Sequence, residues 1–139
     1  HQRGQHAETA GTGAELAAFQ KSKRKPQLAQ AKEFAAQLAK KNRQPVFVTL
    51  AEQGILAASP TGEVAHAPSL PIRGPIDIVG AGDSVTANLA TALAAGASLP
   101  EAIALANAAA SVVIHQLGTT GTASVKQIRE LAAEERRPA

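Results

Sequence analysis

The stretch Asp77-Ile78-Val79-Gly80-Ala81-Gly82-Asp83 sets two carboxylates around a glycine-rich turn, directly before an alanine-rich run. Backbone N–H groups at the start of a helix have no partner inside it and sit at the positive end of its dipole, so they hold anions such as phosphate oxygens. Gly80 and Gly82 let the backbone come close to such an anion, and Asp83 stands beside it. An aspartate so placed can take a proton from a hydroxyl that attacks a phosphoryl group. The alternative is structural: the glycines make a tight turn and Asp83 favours the helix dipole. The Walker A lysine and the Gly-x-Gly-x-x-Gly spacing are both missing, which counts against P-loop and dinucleotide readings.

Such a turn works only if its neighbours fix it. From Pro26 to about Lys41 the pattern is helical, with Leu28, Ala31, Ala35 and Leu38 on one face, and Pro45 stops it. Val46-Phe47-Val48-Thr49-Leu50 is a short apolar run of the kind expected of a buried parallel strand, broken by Gly54. Ile55–Ala58 and Glu63–Ala67 flank Ser59-Pro60-Thr61-Gly62, which predicts a hairpin. Prolines 68, 71 and 75 keep the chain extended up to a strand at Ile76-Asp77-Ile78-Val79, which enters the Gly80–Asp83 turn. A helix then runs to Ala95 and closes at Gly96. Ser98 with Glu101 forms a capping box for a second helix, with Pro100 in its first turn, lasting to about His115. Gly118–Thr122 is a loop, and Ser124 with Gln127 caps a last helix through Val125, Ile128 and Leu131 before the charged Glu134–Arg137. Alternating helix and strand patterning predicts a layered α/β sheet.

Composition sets the scale. The 139 residues suit one domain, and 32 alanines slightly outnumber the Val, Ile, Leu and Phe residues together, so a thin, helix-rich core is expected. The whole of 1–139 reads as one unit, with 1–25 a poorly defined start and 124–139 a terminal helix and tail. The absence of cysteine excludes disulfides and thiolate metal sites. No apolar run is long enough to span a bilayer, and the polar His1–Glu8 start is no signal peptide, so a cytoplasmic protein without a membrane partner is expected. The net charge is +3, and Lys21–Lys25, Lys40, Lys41 and Arg43 read as solvated surface. With aromatics at 2%, there is no stacking platform for nucleic acid. His1, His6, His66 and His115 share no metal-ligand spacing and read as structural or surface residues. The start without an initiator methionine suggests a fragment.

Asp77 through Ala90 resembles the C-terminal signature of the ribokinase-like (PfkB) carbohydrate kinases, with the Gly80-Ala81-Gly82-Asp83 core intact, and the resemblance extends from about Val46 to Leu131. It implies the C-terminal part of a ribokinase-like layered α/β/α sheet. The family's sugar-binding N-terminal half, its Gly-Gly signature and its small β-lid have no counterpart here. In that family the turn is the anion hole and its aspartate the catalytic base, which implies Gly80, Ala81 and Gly82 for the hole and Asp83 for the base. Thr49-Leu50-Ala51-Glu52-Gln53-Gly54 is similar to the family's nucleotide loop, which carries glycine where this chain has Ala51. The nucleotide would meet Thr49, Ala51, Gly54, Gly82 and Asn107. For Thr49 and Gly54 the alternative is a simple strand-ending turn, and for Asn107 a polar residue on an amphipathic helix. A monovalent cation such as K⁺ would correspond to Asp77, Val79, Val113, Gln116, Gly118 and Thr122, and Mg²⁺ would travel with ATP, held by phosphates and water.

The implied reaction is transfer of the γ-phosphoryl group of ATP to a hydroxyl of a sugar or sugar phosphate. Gly74 to Asp83 and the following helix are similar to the heptose-phosphate kinase branch. The competing reading is a truncated, catalytically silent nucleotide-binding or interaction module. A sheet lacking its N-terminal strands exposes an edge, for which a second copy in a homodimer, another partner or the missing half would be the occupant.

Overall fold

The computed structural model describes residues 28–138. The Lys21–Lys25 block, His1 and His6, and the expected helix start at Pro26 lie outside the described residues. Chain order is α1 (Leu28–Asn42), β1 (Val46–Thr49), a 3₁₀ turn (Ala51–Gln53), β2 (Ile55–Ala58), β3 (Val64–Ala67), α2 (Ala81–Ala94), α3 (Leu99–Ile114) and α4 (Val125–Glu135). The strands form a sheet of order β1-β2-β3, antiparallel throughout.

Strand β2 is the centre of the molecule, and all four of its residues are buried. Side chains alternate across a strand. Ile55 and Ala57 therefore pack with Val85, Leu89 and Ala92 of α2 and Ala102, Ile103 and Ala106 of α3. Leu56 and Ala58 face the other way, onto Ala31, Ala35 and Ala39 of α1. The result is an α/β/α sandwich three layers deep, as the layered patterning predicts. Its largest fully buried side chains are only Leu56, Ile103 and Val113. Alanine stripes let the helices approach the sheet closely, which is how a chain poor in large aliphatics fills a core.

Three expectations change. Val46–Leu50 is not a parallel strand: β1 runs antiparallel to β2, pairing Val46 with Ala58 and Thr49 with Ile55. Only the short Leu50–Gly54 connection separates them, and a parallel pair needs a crossover of about a dozen residues or more. Ile76–Val79 is not a strand either. The Asp77 N–H donates to the Ile114 carbonyl at the end of α3 (2.7 Å) instead of to a neighbouring strand, and Ile78 and Val79 are exposed. On α1, the buried stripe is Ala31, Ala35 and Ala39, while Leu38 is left 46% exposed. Alanines spaced four apart present a flat face that Leu56 can meet, and the bulkier side chain is turned outward.

The helix caps form as the sequence indicates. Ser98 Oγ accepts from the Glu101 N–H while Glu101 Oε2 accepts from the Ser98 N–H at 2.8 Å, and Ser124 and Gln127 repeat the pattern on α4. The Ser98 backbone bond holds the Glu101 carboxyl below the usual carboxylate range, with the Ser98 hydroxyl adding to it. Ser98→Ala is expected to cost about 1 kcal/mol, the usual worth of an N-cap, measured by urea unfolding. A carboxyl with a depressed folded-state pKa stabilises above its unfolded pKa, and that support is lost as pH falls through the folded value. The Ser98 capping box should therefore weaken in acid, below the ordinary glutamate pKa.

Candidate active site

The segment between β3 and α2 contains Pro68, Pro71 and Pro75, so it runs without sheet partners and is held by side chains. His115 at the end of α3 donates from Nδ1 to the Ser111 carbonyl (2.6 Å), and its Nε2 accepts from the Arg73 N–H (2.9 Å). The guanidinium of Arg73 meets Glu134 at 2.7 Å and Glu135 at 3.6 Å on α4. The Glu134 hydrogen bond and charge raise the Arg73 pKa, and Arg73 in turn holds the Glu134 carboxyl below its ordinary range. Both groups are exposed and screened by solvent, so this pair orients the segment more than it stabilises the fold.

Asp77 then turns the chain. Its Oδ1 accepts from the Val79 N–H (3.0 Å), and its own N–H is fixed on Ile114. Gly80 follows with φ +84, a left-handed conformation that side chains resist, and hands the chain to α2 at Ala81. A side chain at Gly80 would also press on Thr120 Cγ2 at 3.1 Å. The Ala81 N–H bonds to Ile78, and the Ser84 N–H to Gly80. Gly82 and Asp83 lie between them in the first turn of α2, both exposed, and nothing comes within 4 Å of where a Gly82 side chain would begin. The Gly80–Asp83 turn is thus an exposed helix N-terminus with a carboxylate in the same turn, the kind of end at which backbone N–H groups hold anions.

The candidate cation residues lie on the segment before α2, at the end of α3 and in the loop that follows it. Asp77 is joined to the end of α3, Gly80 lies against Val113 and Thr120, and the Gln116 side chain clamps Thr122 at both ends of its amide, accepting from its N–H (3.0 Å) and donating to its carbonyl (2.6 Å). Gly121 has room for no side chain there, because Gln116 Oε1 and the Val113 carbonyl lie 2.8 and 2.9 Å from the Cβ position. Asp77, Val79, Val113, Gln116, Gly118 and Thr122 carry carboxylate, amide or carbonyl oxygens, the donor type hard cations prefer, although the Val113 and Thr122 carbonyls already accept from Gln116. Among the described residues no three His, Cys, Asp or Glu side chains group as a metal centre.

The second region is the 49–54 loop. Thr49 ends β1, Ala51 opens the 3₁₀ turn, and Gly54 opens onto β2 with φ +91. Gly54 is buried against β3, with a notional Cβ only 1.9 Å from the Ala67 carbonyl. Ala51 has φ +49, in the left-handed region that favours glycine. A non-glycine residue there is strained by about 1–2 kcal/mol. Ala51→Gly is accordingly expected to raise stability by about 1 kcal/mol, read as a higher urea midpoint at an unchanged m-value.

Asn107, on α3, is 7% exposed, and its Nδ2 donates to the Pro68 carbonyl at 2.5 Å. It ties the chain after β3 to α3, while seven residues further along the helix Ile114 ties down Asp77. The helix rise puts these two anchors about 10 Å apart on one rigid rod. Two further residues complete this region: His66, read from the sequence as structural or surface, bonds the Gln53 carbonyl through Nε2 at 2.6 Å, and Ser69, which the sequence did not single out, donates from Oγ to the Ala51 carbonyl at 2.9 Å. Their signal was the predicted hairpin itself, which returns the end of β3 to the start of β2.

The chain matches the pfkB family carbohydrate kinase family over residues 10–126. It is 41% identical over 95 residues to the Bifunctional protein HldE of Shewanella baltica (strain OS185), covering 68% of this chain and 20% of that protein. It therefore spans about a fifth of the length of the curated relatives it matches. Among solved structures it superposes on Escherichia coli phosphofructokinase-2 in complex with potassium with a TM-score of 0.70 at 26% identity, over 81% of this chain and 36% of that one. Arabidopsis thaliana ribokinase complexed with ribose and ATP gives 0.59 at 28% identity, over 63% and 28%. With the family match running through both the loop and the turn, this chain belongs to the pfkB family of carbohydrate kinases.

Proposed function

We propose that this chain is the nucleotide-binding and catalytic C-terminal part of an ATP-dependent sugar kinase. The observation that carries the reading is the turn: α2 opens at Gly80–Asp83 with open space where a Gly82 side chain would begin, and with Asp83 exposed in the same turn. The first-turn amides and the helix dipole stabilise the charge that gathers on phosphoryl oxygens. The Asp83 carboxylate accepts the proton of the attacking sugar hydroxyl, whose oxygen displaces ADP from the γ-phosphorus.

Thr49, Ala51, Gly54 and Gly82 approach the nucleotide, and Asn107 supports that region from α3. Mg²⁺ accompanies ATP and screens its phosphates. A K⁺ ion at the Asp77, Val79, Val113, Gln116, Gly118 and Thr122 oxygens would add positive potential beneath the anion hole. The potassium complex of phosphofructokinase-2 and the ATP complex of ribokinase support these two assignments. The similarity to HldE proteins, with the Gly74–Asp83 run, supports a heptose phosphate as acceptor. The sugar-binding half is supplied by residues outside this chain.

Calorimetry of ATP and ADP with the 139-residue chain, with Mg²⁺ and with or without K⁺, tests the reading. Micromolar binding that is weakened by Gly82→Val upholds it. A folded chain that binds neither nucleotide favours the silent module.

A further inference from the structure

The 49–54 loop is held both by its own backbone and by side chains from elsewhere in the chain. Ala51 is in a strained left-handed conformation, and such a residue persists only where its surroundings over-determine it. Within the loop the Leu50 and Gly54 backbones bond each other, as do Gln53 with Leu50 and Gly54 with Ala51. The remaining constraint comes from outside. The carbonyls of Ala51 and Gln53 are gripped by Ser69 Oγ and His66 Nε2, 18 and 13 residues further along the chain. A carbonyl only accepts, so both side chains donate, and His66 carries its hydrogen on Nε2.

The gripping segment is itself anchored. β3 pairs Ala67 with Ile55, which brings the residues after β3 alongside the loop before β2. Gly54 leaves no gap, since a side chain would collide with the Ala67 carbonyl, the Pro68 carbonyl carbon and the Ser69 nitrogen. Asn107 then fixes the Pro68 carbonyl to α3. The strap from His66 to Ser69 is thus tied to the helix on one side and to two loop carbonyls on the other.

We propose that His66 and Ser69 are positioning residues that clasp the Leu50–Gly54 loop in the shape that receives the nucleotide, an inference that rests on the nucleotide reading above. Neither side chain touches the reacting atoms. They act through the Ala51 and Gln53 carbonyls, and Asn107 sets where the clasp stands relative to α3.

The test uses the 139-residue chain and two readouts. In a His66→Ala, Ser69→Ala double variant, amide exchange at Gln53 and Gly54 should quicken by about tenfold, the worth of one to two hydrogen bonds, with β2 amides unchanged. Mg·ATP affinity by calorimetry should fall by about tenfold. His66→Gln with Ser69→Thr keeps a donor at each position and should restore both readouts, which a general loss of fold would not allow; Ser69→Ala alone gives a milder variant if the double one unfolds. Unchanged exchange in the alanine variants overturns the clasp. Faster exchange with unaltered ATP affinity overturns its role in nucleotide positioning. Faster exchange in a chain whose unsubstituted form binds no ATP supports the clasp and overturns the nucleotide reading instead.

Discussion

Asp83→Asn should lower phosphoryl transfer by about 10²–10⁴-fold, the range lost with a general base, while ATP affinity stays within a few-fold of the original. The side chain is exposed in the first turn of α2, and no hydrogen bond to it holds the turn together. The proposed anion hole is the backbone of the turn, held by Gly80, Asp77 and the end of α3, so it should survive the substitution. Asparagine fills the same volume and still suits the start of a helix, but it cannot accept the hydroxyl proton. The measurement is turnover with the sugar-binding half supplied in cis or as a separate polypeptide, beside calorimetric ATP binding. A matched fall in kcat and kcat/KM places the loss in the transition state. Lost ATP binding with intact turnover would remove Asp83 from the role of base.

Gly54→Ala should be the most damaging single methyl in the described chain. Its φ of +91 is unfavourable for any side chain, and the added Cβ would stand 1.9 Å from the Ala67 carbonyl, 2.7 Å from the Ser69 nitrogen and 2.8 Å from the Pro68 carbonyl carbon. All three contacts are backbone, so nothing can rotate aside. Relief requires β3 to move away from β2, which opens the sheet at its centre. The expected loss is about 4 kcal/mol or more, most of what a small domain has. Gly62→Ala is the control: its φ is +97, but nothing lies within 4 Å, so only the conformational cost of about 1 kcal/mol applies. Urea unfolding of both variants decides the matter, and equal losses would show that close approach at Gly54 is unimportant.

The two substitutions also differ in what they report about the site. Asp83 stands at an exposed helix end, with the turn before it anchored on the end of α3. Gly54 acts where β2, the strap after β3 and the candidate nucleotide loop meet, so its loss should disturb the fold and the loop together.

The local features of this protein follow from residues close together in the chain. The capping residues Ser98 and Ser124, the stop at Gly96, the hairpin around Ser59–Gly62 and the glycine turn before α2 all depend on residues within a few positions of one another, where backbone geometry and local hydrogen bonds decide the outcome. The signature Gly80–Asp83 was legible for the same reason. The direction of β1, the coil at Ile76–Val79 and the buried stripe of α1 were not legible in the sequence, because each depends on which distant surface is available to pair or pack. The clasp of His66 and Ser69 on the loop is of the second kind. Neither residue has any spacing that marks it, and their partners are chosen by the hairpin register and by the grip of Asn107 on Pro68. Hydrogen bonds between residues far apart in the chain exist only once the fold has paid the entropy of bringing them together, and that is why sequence spacing alone could not reveal them.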